Sequence, residues 1–161
     1  SLFLTIMMFF QDRPKAAAEM ARVMRPEGRL AIAVWDSIDN NPAYGAVIDL
    51  LDAEVSQAAA DALRLPYCLG DPADVTSALE QAGLSAIAVE TRSEQAGFAD
   101  ARTMVEAELR GWLPLFDIHL DEDQIADVLG KSERALASFI GPSGKIAFPT
   151  SAHIVTARKS Q

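Results

Sequence analysis

Two runs of almost unbroken apolar residues, at positions 1–10 and 30–35, bracket a segment in which Ala17, Met20, Ala21 and Met24 recur at helical spacing. Runs of that length suit strands covered on both faces, and the three- and four-residue spacing between them suits a short amphipathic helix. Pro14 fits a first helical turn, where its missing N–H breaks no bond, while Pro26 stops the helix and Gly28 supplies the turn that reverses the chain. The first 36 residues therefore predict strand, helix, strand. Such a βαβ unit places its two strands in parallel with a right-handed crossover.

The polar cluster Asp36, Ser37, Asp39, Asn40, Asn41 and Pro42 follows, of the kind that caps a helix at the carboxyl end of a strand. Ala43, Ala46, Val47, Leu50 and Leu51 mark the next helix, and an Ala-rich piece and an irregular stretch at 65–70 come after it. Asp71 opens a helix with the apolar face Val75, Ala78, Leu79 and Ala82, and Gly83 closes it. Ile87, Val89 and Thr91 alternate with Glu90 and Arg92, so 85–95 reads as a strand near a sheet edge. Asp100 caps a helix carrying Met104, Val105, Leu109 and Trp112, and Asp121 with Gln124 caps a longer one reaching Ile140. Between them 113–120 is apolar but broken by Pro114, a packed connection or a lid, and 146–157 reads as a last strand interrupted by Pro149. Four strands and about five helices in this order describe an α/β protein, one domain over 1–161 with a helical insertion or lid at 97–145.

Charge narrows the partners. With 14 Lys and Arg against 23 Asp and Glu, the net charge is −9, which repels a phosphate backbone unless the cations cluster, and they do not. Nucleic acid and membrane are therefore excluded as expected partners. The opening apolar run is about half the roughly 20 residues that a spanning helix needs, and no basic residue precedes it. One cysteine, Cys68, makes neither an internal disulfide nor a multi-cysteine metal site, which fits a reducing cytoplasm.

No two of the nine glycines are separated by a single residue, so a G-x-G dinucleotide fingerprint and a phosphate-cradling loop are both absent, as is a G-x-S-x-G elbow. His119 and His153 have no HxxxH or cysteine companion for zinc, and His153 reads as a structural side chain with one satisfied nitrogen. Cys68 has no cationic activator nearby in sequence. The run Asp121, Glu122, Asp123 reads as charge stabilising a helix N-terminus rather than as a metal site. Trp112 and Phe116, four apart, suit either core or the wall of a pocket.

The stretch Phe9-Phe10-Gln11-Asp12-Arg13, then Glu19-Met20-Ala21-Arg22-Val23-Met24-Arg25-Pro26-Glu27-Gly28-Arg29-Leu30, then Ala33-Val34-Trp35-Asp36, resembles the class I S-adenosylmethionine-dependent methyltransferases, most closely their small-molecule branch. Asn40-Asn41-Pro42 and the final strand around Phe148 and His153 extend the resemblance over nearly the whole chain. Two positions depart from the pattern: Phe3 and Leu4 stand where polar residues are common, and Glu27 replaces a glycine.

The resemblance implies a partial Rossmann-like three-layer sheet, family strands four to seven with the last antiparallel, and helices on both faces. It also implies that the chain is the C-terminal half of the enzyme, because the family's G-x-G-x-G loop is absent. In that frame Thr5, Phe10 and Arg13 lie on the loop that closes over one side of S-adenosylmethionine, and Trp35, Asp36, Tyr44, Trp112 and Phe116 border the small-molecule substrate. No catalytic base and no metal are required, since the sulfonium carries the reactive methyl group. A sheet lacking its central strand would leave the first strand with an open edge, so a homo-oligomer through that edge is expected. The alternative is a non-enzymatic α/β domain that binds a small apolar ligand or a protein partner through 113–120.

Overall fold

In chain order the elements are β1 (Leu2–Leu4), α1 (Arg13–Val23), β2 (Arg29–Trp35), α2 (Pro42–Glu54), α3 (Gln57–Arg64), α4 (Pro72–Gln81), β3 (Leu84–Phe98), α5 (Ala101–Ala107), α6 (Glu122–Ala135) and β4 (Ile146–Lys159). The computed structural model describes residues 2–5 and 7–160, with 2–4 described by their backbone alone. The side chains of Phe3 and Leu4 therefore lie outside the described residues. Two compact units emerge, one of 1–37, 66–93 and 151–161, the other of 38–65 and 94–150.

The sheet has the strand order β1-β2-β4-β3. β1 runs parallel to β2, and β4 runs antiparallel to β2, so the chain is α/β with its last strand reversed. The opening apolar run is shorter as a strand than expected, because Met7–Phe9 forms a 3-10 turn. Met7 and Met8 are buried from that turn, their unbranched side chains reaching into the core without a strand beneath them. On β2 burial alternates instead of running on: Leu30, Ile32 and Val34 are buried, opposite Ala157, Val155 and His153 of β4, which are buried too. Met20 and Ala21 of α1 and Val75 and Leu79 of α4 join this core. Each fully buried aliphatic side chain contributes about 1.5–3 kcal/mol.

Both ends of α1 are satisfied by side chains. The Asp12 carboxylate accepts from the Lys15 backbone N–H at 2.9 Å, and Lys159 Nζ donates to the carbonyls of Ala21 at 2.7 Å and Met24 at 3.0 Å. The turn that follows divides its labour differently from the sequence reading. Glu27 holds the left-handed conformation at φ 60°, whereas Gly28 is needed for space, since a Cβ there would lie 2.7 Å from the Arg25 carbonyl oxygen.

The second unit is mostly helical. Ile48 and Leu51 of α2, Leu63 of α3, Met104 of α5, Val128 of α6 and Phe148 of β4 share one core. The helix expected to reach Trp112 is regular only to Ala107; Glu108–Trp112 continues it as a π-turn and Leu113–Phe116 as a 3-10 turn, ended by Asp117 at φ 59°. α6 starts with a reciprocal box in which Asp121 accepts from the Gln124 N–H at 2.8 Å and Gln124 Oε1 accepts from the Asp121 N–H at 3.0 Å. Pro149 does not interrupt β4, which runs unbroken over Ile146–Lys159, although its pairing with β2 covers only Ala152 to Arg158.

Candidate functional site

At the carboxyl end of β2 the apolar face gives way to a buried polar network. Asp36 is only 5% exposed. Its Oδ1 accepts from the Ser37 N–H at 2.6 Å and its Oδ2 from the Ser151 hydroxyl at 2.8 Å. His153, registered beside Val34, brings Nε2 to 3.2 Å from Asp36 Oδ1 and 3.0 Å from the Gly70 carbonyl. Both of those groups are acceptors, so Nε2 carries a proton, and in the neutral ring Nδ1 accepts the Thr91 hydroxyl at 2.8 Å. Both ring nitrogens of His153 are therefore engaged, where the sequence reading satisfied one. Gly70 makes this possible, since a Cβ on it would come within 2.4 Å of Ser37 Cα. The network fixes the end of β2, with the Asp36 carboxylate accepting from protein donors on both oxygens.

Trp35, one residue earlier, is 40% exposed and tilts against Tyr67 with ring centroids 6.2 Å apart. With Thr5, Met8, Ala33, Val34 and Ala152 it lines a hollow of about 160 Å³. Thr5 and Trp35 are thus brought together, whereas Phe10 lies in a separate apolar groove of about 510 Å³ along α1, with Ala16, Met20 and Val23. Arg13 Nη2 donates to Cys68 Sγ at 3.0 Å, and Cys68 in turn lies 3.7 Å from the Met8 carbonyl oxygen. The cation missing near Cys68 in sequence is supplied by the fold. Arg13 Nε is buried and has no hydrogen-bond partner.

These residues can be tested against S-adenosylmethionine. A cofactor of that size needs a pocket of roughly 300 Å³ or more, and the hollow beside Thr5 and Trp35 offers about 160 Å³. The orphaned Arg13 Nε is one spare donor, but no glycine loop is present to approach the cofactor closely. The described residues do not fit the whole group. Among the described residues no cluster of His, Cys, Asp and Glu could hold a metal ion, and no helix is long and apolar enough to cross a membrane.

The remaining expected substrate-pocket residues lie in the helical unit. Trp112 donates from Nε1 to the Ala62 carbonyl at 3.0 Å and packs on Phe116 with centroids 5.4 Å apart. Tyr44 meets the fully buried Phe148 edge to face at 5.9 Å. Burial pushes the Tyr44 hydroxyl up to about 12, with the charge of Glu108 adding to the effect. Burial likewise pushes the Glu108 carboxyl up to about 7. Glu108 was absent from the sequence reading; the signal that could have found it is an acid four residues before Trp112 within a helical apolar pattern.

No protein-family model and no curated protein matches the sequence. Solved structures do. A chain from Bacillus halodurans, described provisionally as a methyltransferase, superposes over 99% of this chain and 68% of its own length, with a TM-score of 0.53 and 12% identity. The chain has a methyltransferase-like fold. The YcgJ protein of Bacillus subtilis shares this methyltransferase-like fold over 99% of the chain and 64% of its own, at TM-score 0.51 and 15% identity. A Haemonchus contortus phosphoethanolamine N-methyltransferase 2, solved with S-adenosyl-L-methionine, overlaps less well, with a TM-score of 0.45, 11% identity and coverage of 99% of this chain against 33% of its own.

Proposed function

We propose that this chain is the carboxyl-terminal part of an S-adenosylmethionine-dependent methyltransferase acting on a small molecule, the glycine loop that holds the cofactor lying outside it. The supporting observation is the lopsided coverage: the match spans 99% of this chain yet leaves about a third of the two better-matching neighbours uncovered, and no G-x-G stands anywhere in the sequence. In this reading Thr5, Phe10 and Arg13 stand on the cofactor side, and Trp35, Asp36, Tyr44, Trp112 and Phe116 are the residues proposed to border the substrate. Methyl transfer then asks alignment and exclusion of water rather than a strong base.

The test is calorimetric titration of S-adenosylhomocysteine into this chain and into a longer version carrying the upstream coding sequence. Binding by the longer chain alone is expected. Binding by neither would overturn the methyltransferase reading, and tight binding by the short chain would overturn the placement of the glycine loop. A second reading, a non-enzymatic binding domain, is favoured by the Trp112 and Phe116 pair beside Leu115, which is 73% exposed.

A further inference from the structure

β3 ends the sheet, with β4 on one side and no strand on the other among the described residues. Unlike β2 it is open on both faces: every residue of 88–95 is exposed, Val89 to 41%. An edge strand carries a row of unpaired N–H and C=O groups, which proteins commonly shield with proline, lysine or a bulge. On β3 such shielding is confined to the start. Ala86 leaves the extended conformation at φ 50°, but no proline, no lysine and no further residue of positive φ occurs in 87–98. The segment is also anchored from its inner side, where the Thr91 hydroxyl meets His153 Nδ1 at 2.8 Å and the Ser93 hydroxyl donates to Ser151 Oγ at 3.3 Å. An edge held in place in this way has little order left to lose when a further strand adds to it.

The charges along this edge are complementary to themselves. When two β3 strands pair antiparallel about a two-fold axis at Thr91, residues equally far from Thr91 stand opposite one another. Glu90 then meets Arg92 of the second copy, twice by symmetry, while Thr91 meets Thr91 and Val89 meets Ser93. Glu90 and Arg92 already share one face, with Arg92 Nε donating to Glu90 Oε1 at 2.8 Å within the chain. Pairing two copies joins these couples into a square of alternating charge, and the five donors of a guanidinium can serve a carboxylate on each side. Opposite charges and threonine pairs directly across a ladder stabilise it, and like charges destabilise it. An axis at Glu90 or at Arg92 would set like charges face to face, and one at Ser93 would match Arg92 with Glu94 but leave Glu90 without a charged partner.

We propose that two copies of this chain pair antiparallel through β3, centred on Thr91, and join their sheets into one. The pairing uses neither the β1 edge nor the cofactor, so it stands or falls apart from the methyltransferase reading. Sedimentation equilibrium of the wild type should show a dimer, and amide hydrogen exchange at 89–93 should slow as the concentration rises. Glu90→Arg and Arg92→Glu each turn both cross-strand attractions into repulsions, so each variant alone should dimerise at least about tenfold more weakly. Mixed in equal amounts the two variants should dimerise again, because every acid at the interface then faces a cation. That recovery would also show that both variants are folded. A wild type that stays monomeric, or exchange at 89–93 that does not respond to concentration, overturns the proposal without recourse to any variant. A dimer undiminished by Glu90→Arg overturns it as well, since the contact would then lie at another edge or about Ser93. So does a mixture of folded variants that fails to dimerise.

Discussion

Replacing Glu108 with glutamine should stabilise the protein, and only at the upper end of the pH range. Burial raises the folded-state pKa from the ordinary 4.5 to about 7, so the folded chain holds this proton more tightly than the unfolded one. Unfolding therefore releases protons between those values, and the wild type loses stability as pH rises through them. One pKa unit corresponds to about 1.4 kcal/mol, so the full shift amounts to about 3 kcal/mol, reduced to about 2 kcal/mol by the water that reaches a partly exposed side chain. Glutamine keeps the shape and a polar head but cannot ionise. Urea or thermal melts of both proteins from about pH 4 to about pH 8 at fixed ionic strength should coincide at the acid end, with the variant ahead by about 2 kcal/mol at the upper end. In a chain of this size that is a melting-temperature gain of about 4–8 °C. An offset that is constant across the range would refute the reasoning, because it would show that Glu108 packing, and not its ionisation, is what the substitution changed.

Asp36→Ala should cost about 3–5 kcal/mol in urea unfolding, because the Ser37 N–H, the Ser151 hydroxyl and His153 lose their shared acceptor inside the protein; a loss below about 1 kcal/mol would mean that water replaces the carboxylate. Gly70→Ala and Gly130→Ala should move in opposite directions. The first places a methyl 2.4 Å from Ser37 Cα and should unfold or visibly shift the loop, while the second, with nothing within 4 Å in the middle of α6, should gain about 0.5–1 kcal/mol. β1 stands at the edge of the sheet, so sedimentation over an approximately tenfold range of concentration should show self-association, and a constant monomer mass would count against pairing through that edge.

Much of the architecture could be read from residue pattern because it depends on local physics. Asp71, Asp100 and Asp121 all cap the helices they were expected to cap, since an N-cap needs only a short acceptor at the right place in the chain. The parallel β1 and β2 pair follows from the apolar, helical, apolar order of the first 36 residues. Local pattern failed where distant parts of the chain meet. The one-sided burial of β2 depends on the register of β4, more than a hundred residues away, and the left-handed Glu27 is held in a turn whose N–H donates to the Lys159 carbonyl.

By itself, then, the sequence determined the elements, their caps, the α/β class and the absence of a glycine loop, all of which rest on neighbours within a turn or a strand. Only the tertiary structure decided that Arg13 meets Cys68 across 55 positions, that Asp36, Ser151 and His153 close one buried network, and that burial raises the pKa of the Glu108 carboxyl. The physical reason is range. Capping and periodicity are set by bonds a few residues long, whereas desolvation and charge pairing are set by whichever distant side chains the packed core brings alongside.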